Sequence, residues 1–305
     1  MNEILLSICI PTFNRADKLD KTIASIINQS FDKNIVEIVI SDNHSTDETV
    51  NIISKYKNIY QNLIHIRQDP AIWADNNMIN SMKYGQGKFL KLCNDTACFN
   101  DGSVNKILIF INTYFKTKPI MTFSNNNKAS KYYENLNLNS FISHNSYQCT
   151  SILTVGIWKE DLALIKNIDD ASQYQMPAIN VYRKYFDIKS AFVVYNEKLF
   201  TVQYIKNKGG YNIIDVFVGN YIGIVLRDEF IKKRISIKTF EIEKVKVLIG
   251  FVFKWMKILK TKNSGFTFSI EGANKKLFNV YYYNPLFYLL VIYFFFFDII
   301  KKIKK

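Results

Sequence analysis

Two short apolar runs, Ile4 to Ile10 and Val36 to Ile40, flank a segment in which Leu19, Ile23, Ile26 and Ile27 recur at helical spacing. Each run ends abruptly in polar residues, the first at Pro11-Thr12 and the second at Ser41-Asp42-Asn43. The pattern reads strand, helix, strand. Such a unit builds a parallel sheet through a right-handed crossover, so it commits the N-terminal half of the chain to an alternating α/β layer structure.

The pattern continues downstream. Ser45-Thr46-Asp47-Glu48 has the form of a capping box ahead of Val50, Ile52 and Ile53, which predicts a second helix. Residues 63–66 read as a third strand, 76–84 as a helix, and 89–93 as a fourth strand after the Gly85-Gln86-Gly87 turn. Beyond Gly102, residues 104–114 read as helical, 120–123 as extended and Asn125-Asn126-Asn127 as a polar turn. Residues 191–195 and 199–204 read as a strand pair across Asn196-Glu197-Lys198. Lys206-Asn207-Lys208-Gly209-Gly210 is a flexible basic loop. The boundary is placed there, giving an α/β domain over 1–208 and a helical region over 209–305.

Composition narrows the class. A length of 305 residues accommodates two units. Apolar residues at 48% and charged residues at 22% exclude a disordered or collagen-like chain. Four cysteines without a C-x-x-C pair, and only three histidines, favour neither a zinc site nor a disulfide framework. Met1-Asn2-Glu3 opens no secretory signal, which suits a reducing cytosol. The formal charge of +14 calls for a polyanionic partner: nucleic acid, an anionic bilayer or a phosphorylated small molecule.

The placement of charge selects among these. Lysines concentrate beside an aromatic, apolar terminus, and there is no recognition-helix or RNA-binding motif, so nucleic acid is not the expected partner. Pro285 opens the apolar stretch Leu286 to Phe297, which ends in the tail Lys301-Lys302-Ile303-Lys304-Lys305. A helix from Leu286 to Ile300 would be roughly 22 Å long, short of a bilayer core of about 30 Å. It reads as an in-plane or shallowly inserted anchor on an anionic surface rather than a spanning helix. A buried core helix with a solvated basic tail is the structural alternative.

Ligands of open α/β sheets bind beyond the carboxyl ends of the strands. Three polar clusters stand at those positions: Pro11-Thr12-Phe13-Asn14-Arg15, Ser41-Asp42-Asn43 and Asn94-Asp95-Thr96. Singly, each could be a turn or a helix cap. Together they would form one site with a hydroxyl, an aromatic ring, an arginine and two carboxylates, suited to a nucleoside and its phosphates. Gly85-Gln86-Gly87 lacks the third glycine of a dinucleotide fingerprint, and no P-loop occurs.

These segments resemble a known family. Ser7 to Arg15 is similar to the opening strand and loop of the family-2 glycosyltransferases, Glu37 to Asp47 to their second strand and its acidic turn, and Gly87 to Thr96 to the strand before their acidic metal motif. Asp101-Gly102-Ser103 matches the turn that follows. The resemblance covers residues 4–110. It implies a GT-A fold, a Rossmann-like, mostly parallel sheet flanked by helices; the basic helical C-terminal unit, outside the resemblance, is expected from its own composition to associate with membrane.

The resemblance also implies that Thr12, Phe13 and Asp42 surround the base and ribose of a nucleoside-diphosphate sugar, with Arg15 near the nucleotide and Asp95 near the diphosphate. Pro11, Asn43 and Asn94 flank them in the same loops, and Asn77 is a polar helix residue of the same pocket. Where the family has two or three consecutive acids, Asn94-Asp95-Thr96-Ala97 keeps only Asp95. Mn2+ or Mg2+ on Asp95 would therefore be weakly held. Without a metal, leaving-group charge would fall to cationic side chains, for which Lys206, Lys208 and Arg183 are candidates.

Inverting transfer needs a carboxylate facing the acceptor hydroxyl. Asp170 is preferred to Asp161, which reads as the first turn of a helix. The implied activity is sugar transfer to a hydroxyl of a surface-polysaccharide or lipid-linked glycan at the cytoplasmic face of a bacterial membrane. The alternative is a degenerate membrane-associated nucleotide-sugar binder. Oligomeric state stays open.

Overall fold

Each polar cluster singled out in the sequence follows a strand of one seven-stranded sheet. The computed structural model describes residues 3–125, 137–261 and 265–303; Asn126 and Asn127 of the expected polar turn, and Lys304 and Lys305 of the basic tail, lie outside them. The contacts divide the chain into two units, Met1–Tyr204 and Ile205–Lys305, a division slightly ahead of the one expected from the Lys206–Gly210 loop.

In the first unit β1 (Leu6–Thr12), α1 (Ala16–Ile27), β2 (Val36–Asp42), α2 (Thr49–Lys57), β3 (Leu63–Arg67), α3 (Ala74–Lys83) and β4 (Phe89–Leu92) alternate along the chain. There follow β5 (Ala97–Phe99), α4 (Ser103–Thr113), β6 (Ile120–Phe123), α5 (Leu138–Asn145), β7 (Val155–Trp158), α6 (Lys159–Leu164), α7 (Pro177–Tyr185), β8 (Phe192–Tyr195) and β9 (Phe200–Val202). The sheet order is β3-β2-β1-β4-β7-β6-β8. Only β7 runs against its neighbours, pairing antiparallel with β4 and β6. This is a mixed α/β, mostly parallel, GT-A-like sheet.

Burial explains the alternation. Leu19, Ile23, Ile26 and Ile27 of α1 are buried, while Asp17 and Lys21 on its other face stay exposed. Ile8, Ile10, Ile38 and Ile40 in the paired centre of β1 and β2 are fully buried. Each such side chain contributes at most about 1.5–3 kcal/mol. Below the sheet, the buried Glu37 accepts from the Ser7 hydroxyl at 2.6 Å and from the Gly87 amide at 3.2 Å. A Cβ on Gly87 would stand 2.7 Å from the Ser7 nitrogen, so that turn needs a glycine for closeness of approach.

Two local expectations are corrected. Ser45 does not cap α2: its hydroxyl accepts from the Asn14 amide at 2.9 Å, and Asp47 meets the Thr49 amide at 3.0 Å instead. The demand of the neighbouring loop outcompetes the helix end. The strands β8 and β9 exist, but they do not pair with each other. β8 lies parallel to β6, and β9 forms a separate antiparallel ribbon with β5. The turn between them is diverted where Asn196 accepts from the Ser124 hydroxyl at 2.5 Å.

The second unit begins with β10 (Lys208–Asn212), which pairs in parallel with β11 (Phe266–Ser269). Its helices are α8 (Arg227–Ile231), α9 (Ile237–Lys246), α10 (Lys254–Leu259), α11 (Ala273–Tyr281) and α12 (Pro285–Ile303). Asp215–Leu226 and Val247–Phe253 are wound as π-helix and lead into α8 and α10. The Ser236 hydroxyl caps α9 by accepting from the Thr239 amide at 3.1 Å. Of the formal charge of +14, this unit carries +12, from 19 Lys and Arg against 7 Asp and Glu. No helix among the described residues is long and apolar enough to cross a membrane.

Candidate active site

Parallel register brings the strand ends together. Thr12 stands opposite Asp42, and Cys9 opposite Leu92. The Asn43 amide donates to the Thr12 carbonyl at 2.9 Å, and the Cys93 amide to the Cys9 carbonyl at 2.8 Å. The loops at 11–15, 41–43 and 94–96 therefore stand side by side at the carboxyl edge of the sheet.

Asp95 is the centre of that edge. It is 2% exposed, and its two carboxylate oxygens accept from the Thr12 hydroxyl at 3.0 Å and from Arg15 Nη1 at 2.9 Å. Its carbonyl accepts from the Thr22 hydroxyl at 2.8 Å, which fixes the loop onto α1. Burial pushes the Asp95 carboxyl up, and the Arg15 guanidinium and Thr12 hydroxyl offset this only in part. Arg15 keeps 44% of its side chain exposed, so it reaches from solvent to the buried carboxylate.

Asp42 is fully buried at the end of β2. Oδ1 accepts from the Ser45 amide at 2.9 Å, and Oδ2 from Arg67 Nη1 at 2.7 Å. Burial works against its ionisation, but the His65 imidazole at 3.9 Å, the Ser45 amide and the Arg67 guanidinium prevail and hold its pKa down to about 2. The anion is thus permanent. Ser45, Thr46 and Asp47 knit this loop to the first: besides the Asn14–Ser45 bond, the Thr46 amide donates to Asn14 Oδ1 at 2.7 Å and the Ala16 amide to Asp47 Oδ2 at 3.0 Å.

The other expected residues divide. Pro11 pairs within β1, Phe13 presents a half-exposed ring, and Asn94 is half-buried beside Asp95. Asn43 clasps the segment before α3, its Nδ2 donating to the Ile72 carbonyl at 2.7 Å and its Oδ1 accepting from the Ile72 amide at 2.9 Å. Asn77 spends its whole amide on Ser41, accepting from the hydroxyl at 2.6 Å and donating to the carbonyl at 2.8 Å. It positions the end of β2. Lys206 and Lys208 fall in the second unit, where both are exposed and Lys208 opens β10. Arg183 Nη1 donates to Asn180 Oδ1 at 3.1 Å within α7.

Neither acceptor-base candidate joins these loops. Asp170 lies 3.9 Å from Lys184 in the last turn of α7, and its neighbour Asp169 pairs with Lys83 in the last turn of α3. Both helices start at the carboxyl edge and run back, so Asp170 sits toward the opposite edge of the sheet. Asp161 is buried there too, beyond the end of the reversed strand β7, and it accepts from Tyr185 and Lys189. Its work is structural. The direction of β7 was not legible in its sequence, and it decides this outcome.

Sequence reasoning missed Arg67, the last residue of β3, although a polar residue at a strand end was the signal that found the others. It also missed two residues next to the Asn43 clasp. Trp73 is 82% exposed, and Asp75, in the first turn of α3, is pushed by burial up to about 6.

The donor set does not suit a divalent cation. One carboxylate is present at the end of β4, its oxygens are taken by a guanidinium and a hydroxyl, and no cluster of three or more His, Cys, Asp or Glu occurs among the described residues. The positive charge beside Asp95 is that of Arg15, 2.9 Å away.

Residues 7–152 match the family model for Glycosyl transferase family 2. Over these residues the chain is similar to the family-2 glycosyltransferases. The chain is 37% identical over 87 residues to abequosyltransferase RfbV of Salmonella typhimurium, a match covering 28% of this chain and 26% of that protein. It is 45% identical over 56 residues to poly(ribitol-phosphate) beta-N-acetylglucosaminyltransferase TarP of Staphylococcus aureus, covering 18% and 17% of the two chains. The chain thus spans about a quarter or less of the length of these curated relatives. Among solved structures, S. aureus TarS 1-349 in complex with UDP-GlcNAc is similar in fold, with a TM-score of 0.56 at 18% identity over 85% of this chain and 77% of that one.

Proposed function

We propose that the protein transfers a sugar from a nucleoside-diphosphate donor to a hydroxyl of a glycan acceptor, either a surface polysaccharide or a lipid-linked oligosaccharide. The observation that carries this reading is the buried Asp95 carboxylate joined to Thr12 and to a half-open Arg15 where the three strand-end loops meet. In this reading Thr12, Phe13 and Asp42 surround the nucleoside, and Arg15 takes the diphosphate. Relatives named for transfer to poly(ribitol-phosphate) and to an undecaprenol-linked glycan support the acceptor class.

The chemistry is an in-line displacement. The acceptor hydroxyl oxygen bonds to the anomeric carbon as the bond from that carbon to the phosphate oxygen breaks; the hydroxyl proton passes to a solvent base, and the nucleoside diphosphate leaves with the bonding electron pair. Asp95 orients Arg15, and Arg15 meets the negative charge that grows on the leaving diphosphate. The second unit, with its charge of +12, would keep the enzyme at the cytoplasmic face of an anionic membrane.

A titration of the full chain with UDP, GDP, CMP and TDP, with and without manganese, followed by transfer assays on membrane lipid extract, tests the proposal. Binding of one nucleotide and transfer with inversion are expected. If no nucleotide binds, the reading fails. The engagement of both Asp95 oxygens favours a second reading, a nucleotide-sugar binder without turnover. It predicts donor binding with no transfer, and no loss of any activity in Asp95→Ala.

A further inference from the structure

The second unit contains a pocket of about 440 Å³, within the range of about 300–1,000 Å³ usual for small-molecule sites. Val252 from the π-wound segment before α10, Leu277 from α11, and Phe287 and Phe294 from α12 form its apolar wall. Two strongly polar side chains join them, Lys260 and Asn274. The Tyr288 hydroxyl, also on the wall, donates to the Tyr282 carbonyl at 2.5 Å. A polar ligand entering here would shed its hydration without regaining hydrogen bonds. A hydrocarbon chain would find dispersion contact on most sides.

Lys260 gives the pocket a sign. Its Nζ stands 5.1 Å from the centre of the Phe294 ring, on the pocket wall. The opposite face of α12 is apolar as well, with Leu286, Leu289, Ile292 and Phe296 exposed. A helix apolar on both faces, in a unit of charge +12, has the make-up of an element that lies at the boundary of headgroups and acyl chains.

We propose that this pocket takes one hydrocarbon chain of an anionic phospholipid, with Lys260 as the counter-ion of its phosphate. The site goes beyond the sugar-transfer reading and does not depend on it. Dioctanoyl-phosphatidylglycerol, kept below the concentration at which it forms micelles, is titrated into the full chain by calorimetry. Saturable binding of a single lipid with a negative heat-capacity change is expected. Dioctanoyl-phosphatidylcholine should bind about tenfold more weakly, because its own choline cation offsets the phosphate charge that Lys260 would otherwise meet alone.

Leu277→Trp, which fills the pocket, should cut affinity for phosphatidylglycerol about tenfold or more, whereas Leu289→Ser on the outer face should leave it unchanged. Circular dichroism and a UDP titration of the same samples report folding and the first unit separately, so failure here is distinct from failure of the sugar-transfer reading. If Leu277→Trp does not fold, Val252→Phe takes its place. Equal affinity for the two headgroups, unchanged affinity in the folded pocket variant, absence of phosphatidylglycerol binding, or binding of polyprenyl phosphate alone would each overturn the proposal.

Discussion

Asp95 and Arg15 divide one task between them. The carboxylate is too buried to ionise easily alone, and the guanidinium is too exposed to hold one position alone; bonded at 2.9 Å, each corrects the other. Arg15→Ala should therefore weaken nucleotide-diphosphate affinity by roughly 2 kcal/mol, about 30-fold, as measured by calorimetry. Under the proposal that Arg15 meets the leaving charge, a chelator should leave wild-type turnover within about twofold; a loss of turnover that manganese restores would refute that assignment. Asp42 makes a prediction in pH. Its folded-state pKa is about 2, whereas an unfolded aspartate titrates near about 4. Its contribution of about 2.5 kcal/mol is present above that unfolded value and is lost as pH falls toward about 2. Urea unfolding of wild type against Asp42→Asn should show the difference between them shrinking across that window.

At the scale of the element, β4 carries an anomaly. Lys91 is fully buried, donating at 2.7 Å to the Leu92 carbonyl and at 2.7 Å to the Leu153 carbonyl, with its ammonium 4.9 Å from the Phe123 ring centre. Burial pushes its pKa down to about 8. The folded chain sheds this proton before the unfolded chain does, so the cost of the buried charge disappears as pH rises from about 8 to about 10.4, worth about 3 kcal/mol. Relative to Lys91→Met, wild type should gain that amount across the window in denaturant titrations. The thiols of Cys9 and Cys93, which burial pushes up, act the other way in both proteins and cancel in the difference.

The elements also show what a sequence exposes. β1 to β4 and α1 to α3 were legible because each strand is an apolar run and each helix has an apolar face, and the chain order of β1, α1 and β2 enforces their parallel pairing. Past Gly102 pairing is decided by distant partners. Phe192–Tyr195 and Phe200–Val202 each look like half of a hairpin, yet one completes the main sheet beside β6 and the other answers Ala97–Phe99. The four residues Val155–Trp158 have no pattern that states their direction. Thr12, Asp42 and Asp95 could be found because they stand at strand ends. The placement of Asp170 beside Lys184 was not legible, because it depends on β7 and the helices after it.

Across the whole molecule the charge is lopsided: the first unit carries +2 and the second +12. Binding to vesicles rich in phosphatidylglycerol should weaken steeply between about 0.1 and 0.5 M salt, as the screening length falls to a few ångströms. Nucleotide affinity should change far less over the same range. Cosedimentation and nucleotide titration at matched salt would separate the two, and a parallel decline would refute independent seats for them. Asp95 meets Thr12 and Arg15 across 83 and 80 positions of chain. Contacts of such separation form late, once loop closure has been overcome. The contacts around Asp95 therefore cannot form on a chain still growing from the ribosome until β4 has emerged to dock beside β1.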